Sequence, residues 1–203
     1  VTGTVPPGGA AVVVARVMAE NLGDSMGQTF VVDNRGGGGG QIAAETVAKA
    51  SPDGYTVLLG SITTHGIGPH MYAKLPYDPV KDFAPVTQGT YYAYVLVVQP
   101  SLPIKNLQEL VAYAKSKPGL AYGSTGLGGA NHLAGEFLAT MTGTKLTHVP
   151  YKGSAAALTD VLSGQLPMMF DPPIPSIPPL RAGKFRAIGY SATRSPPPPP
   201  DRP

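Results

Sequence analysis

The chain of 203 residues contains neither cysteine nor tryptophan, and only 13% of its residues are charged. Without cysteine there is no disulfide framework, no thiol nucleophile and no cysteine-ligated metal. The longest apolar runs, such as Tyr91 to Val98, are far shorter than the roughly 20 residues of a transmembrane helix. The formal net charge of +3 is spread along the chain. No basic run follows the pattern of a nucleic-acid-binding surface, so nucleic acid is not expected as a partner.

Glycine and proline are abundant, with 26 and 23 residues, and they divide the chain into short apolar runs and small-residue helices. The first part alternates strand and helix in a βαβαβ order, which implies a parallel sheet with right-handed crossovers. Its predicted elements are a strand over Val1–Val5, a helix over Ala10–Leu22 ended by Gly23, a strand over Thr29–Val32, a helix over Gln41–Ala50 and a strand over Tyr55–Leu59.

A second alternation follows the strand predicted over Tyr91–Val98. Asn106, with Glu109 three residues later, is a good N-cap for a helix over Leu107–Ser116. The next elements are a strand over Ala121–Gly123, a helix over Ala130–Met141, a strand over Thr147–Val149, a helix over Ser154–Ser163 and strands over Met168–Phe170 and Phe185–Tyr190. Pro178 and Pro179 are expected to disrupt a helix, and the final SPPPPPDRP to form a polyproline II segment.

The fold class predicted from this order is α/β with two lobes, each a mixed, mostly parallel sheet flanked by helices. Residues 1–98, joined by residues 190–203, form the first lobe, and residues 99–189 form the second. Three glycine-rich turns, in VPPGGAAVVVAR, YGSTGLGGANHLAGEF and VPYKGSAAALTDVLSG, run from a strand into a helix. Helix N-termini at the carboxyl edge of a sheet hold small anions, so these turns predict a ligand cleft.

Better-known chemical motifs are not supported. The run Gly36–Gly40 is followed by Gln41 rather than by Lys and a hydroxyl residue, which argues against a nucleotide P-loop. The segment Gly126–Asn131 lacks the third glycine of a dinucleotide fingerprint. Ser124 lies in YGSTG, which is not the G-x-S-x-G elbow of a hydrolase, and no acid is evidently placed to orient His65 beside Ser61. The four histidines lack metal-ligand spacing. No cofactor and no metal are expected.

Asp171 differs from the other carboxylates because it ends an apolar strand and is expected to face the region between the lobes. Two roles are equally compatible with that position. The carboxylate accepts a hydrogen bond from a ligand amine or hydroxyl, or it holds a neighbouring loop.

Several longer segments resemble one family in order, over essentially Val1 to Ser195. They are PPGG at Pro6–Gly9, VVDNRGGGGGQIAAETVAKASPDGYTVLLG, PHMYAKLPYDPVKDFAPV, HLAGEF, HVPYKGSAAALTDVLSGQ and MFD. On these motifs the chain resembles the Bug-type substrate-binding proteins, the periplasmic receptors of tripartite tricarboxylate transporters. The resemblance implies a two-lobed periplasmic-binding-protein (Venus-flytrap, type II) fold, a periplasmic monomer without enzymatic activity, a small carboxylate ligand and membrane permease subunits as partners.

The resemblance also implies the ligand-binding residues, which lie on the strand-to-helix loops of both lobes. They are Pro7, Gly8, Gly9, Ala10, Ala11, Ser61, Thr63 and His65 in the first lobe, and Ser124, Thr125, Gly128, Asn131, Tyr151 and Asp171 in the second. A hinge near Leu96–Val98 and Ala187–Gly189 is expected to close on the ligand.

The chain departs from the family at three points. The loop after PPGG has Ala10, Ala11 and Val12 where the family carries a hydroxyl residue and then an Asp, and Ala130 stands where a Ser is frequent. These losses favour longer or more apolar acids. The family also continues beyond SPPPPPDRP, so the chain resembles a version lacking its C-terminal part. Two alternative functions stay open: a doubly wound hydrolase using Ser124 or Ser61, and a periplasmic sensor module signalling to a partner protein.

Overall fold

The computed structural model describes residues 2–3 and 10–192, and two β-sheets organise them. The smaller sheet is wholly parallel in the order β2-β1-β3, with strands β1 (Thr2–Gly3), β2 (Asp33–Asn34) and β3 (Leu58–Leu59). The larger sheet has the order β6-β5-β7-β4-β8, with strands β4 (Val95–Val98), β5 (Leu120–Ser124), β6 (Leu146–Pro150), β7 (Met168–Asp171) and β8 (Arg186–Tyr190). We call the parts built on these sheets the first and second lobes, as the sequence predicted.

Helices follow most of the strands, as expected for an α/β protein. They are α1 (Ala10–Met26), α2 (Gln41–Ala48), α3 (Gly68–Met71), α4 (Leu107–Ser116), α5 (Ala130–Thr142), α6 (Ser154–Ser163) and α7 (Pro173–Arg181). A 3₁₀ turn over Gly38–Gly40 leads into α2, and a π-helical turn over Thr63–Ile67 leads into α3.

The larger sheet is mixed. Strand β5 pairs in parallel with β6 and β7, whereas β4 is antiparallel to both β7 and β8. The predicted lobe boundary at residue 98 counts Val95–Val98 with the first lobe, but this strand lies in the larger sheet. The sheets therefore divide before Val95, and the division of the whole chain into lobes stays a prediction.

The core of the second lobe lies on both faces of its sheet, because alternate residues of a strand point to opposite sides. Val95, Val97 and Met169 pack with Ala157 and Val161 of α6 on one face. On the other face, residues of β4, β5 and β7 pack against α4 and α5, with fully buried members Val98, Ile104, Leu110, Tyr122 and Met168. Two helical layers thus fix where the strand ends lie.

Helices bounded by local signals agree with the sequence: α4 and α6 have the predicted bounds. The predicted end of α1 is wrong, since the helix continues through Gly23 to Met26. A glycine within a helix costs only about 1 kcal/mol, and the true stop is Gly27, whose φ is +64°. The Gln28 N–H donates to the Gly23 carbonyl at 3.3 Å, completing a Schellman cap.

Four further sequence predictions are corrected. The strand expected over Thr29–Val32 lies instead at Asp33–Asn34, and those expected over Tyr55–Leu59 and Tyr91–Val98 shorten to their last residues. Pro178 and Pro179 lie inside α7. The helix tolerates them near its end because proline removes a donor but keeps its carbonyl, and these carbonyls accept from Ala182 and Lys184.

The start of α4 gives a stability prediction. The Glu109 N–H donates to Asn106 Oδ1 at 2.9 Å, while the Lys105 N–H donates to Glu109 Oε2 at 2.7 Å. Replacing Asn106 with alanine removes the first bond, so we expect the free energy of unfolding to fall by about 1 kcal/mol. Urea denaturation of N106A, with N106S as the control that retains a cap, measures this loss. A variant N106A as stable as N106S would contradict the assignment.

Candidate functional site

Three neighbouring strands of the second lobe end at the same edge of the sheet. Strands β6, β5 and β7 are adjacent and parallel, and each leads through a short loop into a helix. The N-termini of α5, α6 and α7 therefore meet at one edge. Helix N-termini present free N–H groups and partial positive charge, so this edge favours an anion.

Asn131, near the start of α5, organises the loop after β5. Its Oδ1 accepts from the Thr125 N–H at 3.3 Å, from Thr125 Oγ1 at 3.1 Å and from the His132 N–H at 3.1 Å. The side chain is 1% exposed, and its Nδ2 is buried with no hydrogen-bond partner among the residues that the structure describes. A buried amide donor without an acceptor is costly, so its place suits a ligand oxygen.

Ser124 is 0% exposed, and its hydroxyl is engaged within the same loop. Its Oγ donates to the Gly126 carbonyl and accepts from the Gly126 N–H, each at 3.0 Å. It also lies 2.5 Å from His148 Nε2. The hydroxyl therefore shapes the turn that carries Thr125 and Gly128.

Tyr151 ties the loop after β6 to that after β5. Its N–H donates to the Ser124 carbonyl at 3.0 Å, and its hydroxyl donates to Asp160 Oδ2 at 2.7 Å. Burial and the Asp160 carboxylate raise the pKa of the Tyr151 phenol to about 12. The phenol is thus already bonded within its own lobe.

Asp171, at the end of β7, is 0% exposed and accepts a hydrogen bond on each carboxylate oxygen. Ser154, the first residue of α6, donates to Oδ1, and Ser176 of α7 donates to Oδ2 at 2.6 Å. Burial raises the pKa of this carboxyl to about 6, although the two hydroxyls act in the opposite direction. The sequence left two roles open for Asp171. These contacts fit the second role, in which the carboxylate holds neighbouring segments of the chain.

The predicted first-lobe residues lie around the π-helical turn. The exposed Ser61 caps it, because its carbonyl accepts from the N–H groups of Thr64 and His65. The His65 ring lies in the lobe's own packing, 4.8 Å from the Phe83 ring between centroids, and burial lowers its pKa. A Cβ at Gly60 would lie 2.9 Å from that ring. Thr63 is partly buried beside the 3₁₀ turn.

The remaining predictions fall near the N-terminus. Pro7, Gly8 and Gly9 lie outside the described residues. Ala10 and Ala11 form the first turn of α1, with Ala10 buried and Ala11 partly buried.

A contact between the lobes was missed by the sequence analysis. The Tyr72 hydroxyl, next to α3, donates to the Leu127 carbonyl of the β5–α5 loop at 3.3 Å. A Cβ placed on Gly39 or on Gly128 would lie 3.3 or 3.5 Å from that hydroxyl. Both glycines have positive φ, at +67° and +75°, which side chains rarely adopt. The glycine run therefore lets the first lobe approach the second beside Tyr72.

Two more buried polar atoms flank this glycine run. Asn34 Oδ1 and Gln41 Nε2 have no hydrogen-bond partner within the described part of the chain. From the sequence, Gln41 was the first residue of a predicted helix and evidence against a P-loop, and no binding role was predicted for it. Unpaired donors and acceptors cannot be read from a sequence, because they depend on which atoms the fold buries.

Some features are absent from the part of the chain that the structure covers. Within residues 2–3 and 10–192, no three His, Asp or Glu side chains lie together as metal ligands would. Over the same ranges, no helix is long and apolar enough to cross a membrane.

Comparison with known proteins identifies the family. Residues 14–197 match the family described as the tripartite tricarboxylate transporter family receptor. The chain belongs to this family. The larger part of the sequence lies within the match, from the first turns of α1 to beyond β8.

Three solved receptors are similar in structure. R. palustris Rpa4515 with adipate is 40% identical with a TM-score of 0.91. The match covers 96% of this chain and 66% of the Rpa4515 chain. MatC from Rhodopseudomonas palustris with bound malate is 34% identical with a TM-score of 0.88, and the match covers 96% of this chain and 67% of the MatC chain. The periplasmic binding protein BugD is 31% identical with a TM-score of 0.85, and the match covers 96% of this chain and 65% of the BugD chain. The two-lobed α/β fold expected from the sequence is thereby confirmed.

The chain is shorter than its relatives. Curated relatives are 35–38% identical to this chain over about nine-tenths of its length. The matches cover only 53–59% of the relatives' own length. The family and the fold are therefore shown for a chain that spans little more than half the length of these relatives.

Proposed function

We propose that the chain forms much of a periplasmic solute receptor that binds a small carboxylate between its lobes and delivers it to a permease of the tripartite tricarboxylate type. The observation that carries the proposal is the buried Nδ2 of Asn131, which has no partner among the described residues and lies at an edge where three helices begin. An amide donor beside helix N-termini suits a carboxylate oxygen and requires no buried arginine. Membership of the receptor family, and the adipate and malate bound to two relatives, support the same ligand class.

We assign one face of the site to each lobe. In the second lobe Thr125, Gly128 and Asn131 form the anion loop, while Ser124, Tyr151 and Asp171 shape and support it. In the first lobe we assign the start of α1, at Ala10 and Ala11, and the turn at Ser61–His65 to the opposite face. The Tyr72–Leu127 hydrogen bond supports this arrangement, since it brings the first lobe onto the β5–α5 loop itself.

We propose binding without chemical turnover. The pair formed by Ser124 and His148 has the separation of a nucleophile and its base, 2.5 Å. However, the serine is fully buried and its hydroxyl serves both backbone groups of Gly126. A nucleophile needs access to its substrate, so this geometry favours a structural role for the pair. Adipate recovered unchanged after long incubation with the protein would support a receptor, and a hydrolysed ester probe would contradict it.

Replacing Asn131 with aspartate tests the site most directly. Asp keeps the oxygen that Thr125 and His132 bond, but it puts a carboxylate oxygen in place of the unpaired donor. We expect the affinity for adipate or malate to fall by at least about tenfold, because a donor to a charged oxygen is lost and a like charge is added. Isothermal titration calorimetry at neutral pH measures the change.

The control is N131S, which removes both amide atoms, including the oxygen that Thr125 and His132 bond, without adding charge. A smaller loss of affinity than in N131D would show that the added charge acts beyond the lost loop contacts. Thermal unfolding of both variants reports whether the loop still folds. An N131D protein that binds adipate as tightly as the wild type would overturn the placement of the site. A wild type that binds none of the carboxylates would overturn the proposed function.

A further inference from the structure

Two histidines lie behind the β5–α5 loop, outside the predicted ligand contacts. His132, in the first turn of α5, is 8% exposed, and His148 lies on β6. Their rings are 4.0 Å apart between centroids, with a tilt of 36°. Each ring reaches the loop through one nitrogen, and neither interaction was anticipated from the sequence.

His132 is bonded to the loop as an acceptor. The Gly128 N–H donates to His132 Nδ1 at 3.2 Å. A ring nitrogen that accepts a hydrogen bond carries no proton, so the ring is neutral with its proton on Nε2. That nitrogen lies 3.9 Å from Glu136 Oε1, one helical turn further on. The neutral tautomer therefore leaves Nδ1 free to accept the Gly128 N–H.

His148 acts through Ser124. The single hydroxyl proton of Ser124 cannot serve both the Gly126 carbonyl and His148 Nε2. The loop bond to Gly126 is retained when His148 carries its own proton on Nε2 and donates it to Ser124 Oγ. A defined tautomer of each histidine thus accompanies the observed loop.

The surroundings disfavour charge on His148. Tyr122 of β5 and Glu136 of α5 are the titratable neighbours, joined to each other by a hydrogen bond of 2.6 Å. On β7, the residues facing this side are the apolar Met168 and Phe170. Burial and the neighbouring His132 lower the pKa of His148. Glu136 alone offers compensation, and its side chain is half exposed.

The geometry points to His132 and His148 as positioning residues for the Ser124–Gly129 loop: His148 donates from Nε2 to Ser124, and His132 holds Gly128 only while its Nδ1 carries no proton. Protonation of His132 at Nδ1 converts an acceptor into a donor and breaks the bond from Gly128. Acid should therefore weaken carboxylate binding, although a nearby positive charge by itself would strengthen it. This inference rests on the proposed function for its effect on affinity, but the loop bond can be tested without a ligand.

The first measurement is amide hydrogen exchange of Gly128 in the ligand-free protein, by NMR at neutral pH. Asparagine at position 132 offers an oxygen near the place of Nδ1, whereas alanine offers none. We expect the Gly128 amide to be protected in the wild type and in H132N, and to lose protection in H132A while α4 and α6 keep theirs. Equal protection in all three proteins would overturn the positioning role.

The second measurement is adipate affinity as a function of pH, by calorimetry. Between about pH 7.5 and about pH 5.5 we expect the wild-type affinity to fall more steeply than that of H132N, because a proton on His132 Nδ1 removes the acceptor of the Gly128 N–H. The affinity of H132N for adipate should fall by less than about twofold. Protonation of adipate itself is the same in both experiments, so it does not contribute to the difference. Parallel profiles for the two proteins would overturn the inference. A wild type that binds no adipate at neutral pH would refute the proposed function, and the exchange experiment would still decide the role of His132.

Discussion

Replacing Gly135 with alanine is expected to lower the free energy of unfolding by about 3 kcal/mol. A Cβ at this position of α5 would lie 2.1 Å from Tyr122 Cε2 and 2.4 Å from Cζ. The ring cannot move aside, because Tyr122 is fully buried and its hydroxyl donates to Glu136 Oε1 at 2.6 Å and lies 3.2 Å from the His132 carbonyl oxygen. Urea denaturation followed by circular dichroism measures the loss.

The sign of this effect makes the test decisive. Glycine to alanine within a helix ordinarily stabilises a protein by about 1 kcal/mol. The control is G189A in β8, where an added Cβ meets nothing within 4 Å and the backbone has ordinary dihedrals. Restoring space with Y122L in the G135A background should recover part of the loss. A G135A protein as stable as G189A would contradict the close packing of α5 on β5.

Replacing Asp171 with asparagine is expected to change how stability depends on pH. The pKa of the Asp171 carboxyl is about 6 in the folded protein because the group is buried, and about 4 in an unfolded chain. The folded state therefore binds the proton more tightly. This contribution to stability is complete below about pH 4 and is lost as the pH rises to about 6, with a total of about 3 kcal/mol.

The measurement is the difference in free energy of unfolding between wild type and D171N at several pH values from 4 to 7. We expect the wild type to lose about 3 kcal/mol relative to D171N across that range. The control is D78N, because backbone N–H groups of Lys81 and Val80 lower the pKa of the exposed Asp78. Its pH dependence should have the opposite sign. A constant difference between wild type and D171N would show that the carboxyl titrates normally.

Local patterns in the sequence predicted the elements that local interactions define. Asn106 with Glu109 marked the start of α4, and glycines at 153 and 164 bounded α6, where Gly164 has a φ of +84°. Each signal lies within a few residues of the boundary that it sets. For the same reason the strand-to-helix turns of the second lobe could be recognised, and with them Asn131 and Asp171 as candidates.

What the sequence did not predict depends on contacts between distant residues. Tyr72 meets Leu127 across 55 positions, and the unpaired state of Asn131 Nδ2 follows from burial that only the assembled loops create. The strand near Thr29 was misplaced because a two-residue strand is defined by its partner rather than by its own apolar run. The helical path through Pro178 is likewise permitted by neighbouring residues rather than by local propensity.

The pairing of β4 with β8 fixes the edge at which the chain enters the larger sheet. At the edge where the chain enters β4, the Ser191 N–H donates to the Tyr94 carbonyl and the Tyr94 N–H donates to Ser191 Oγ, each at 2.9 Å. The register of the pair shifts between Leu96 and Val97, opposite the segment that the sequence proposed as a hinge. Two neighbouring, cross-bonded strands resist sliding and stretching but bend together. The chain therefore enters the larger sheet through two strands that are joined at this edge, so a movement of Tyr94 carries Ser191 with it.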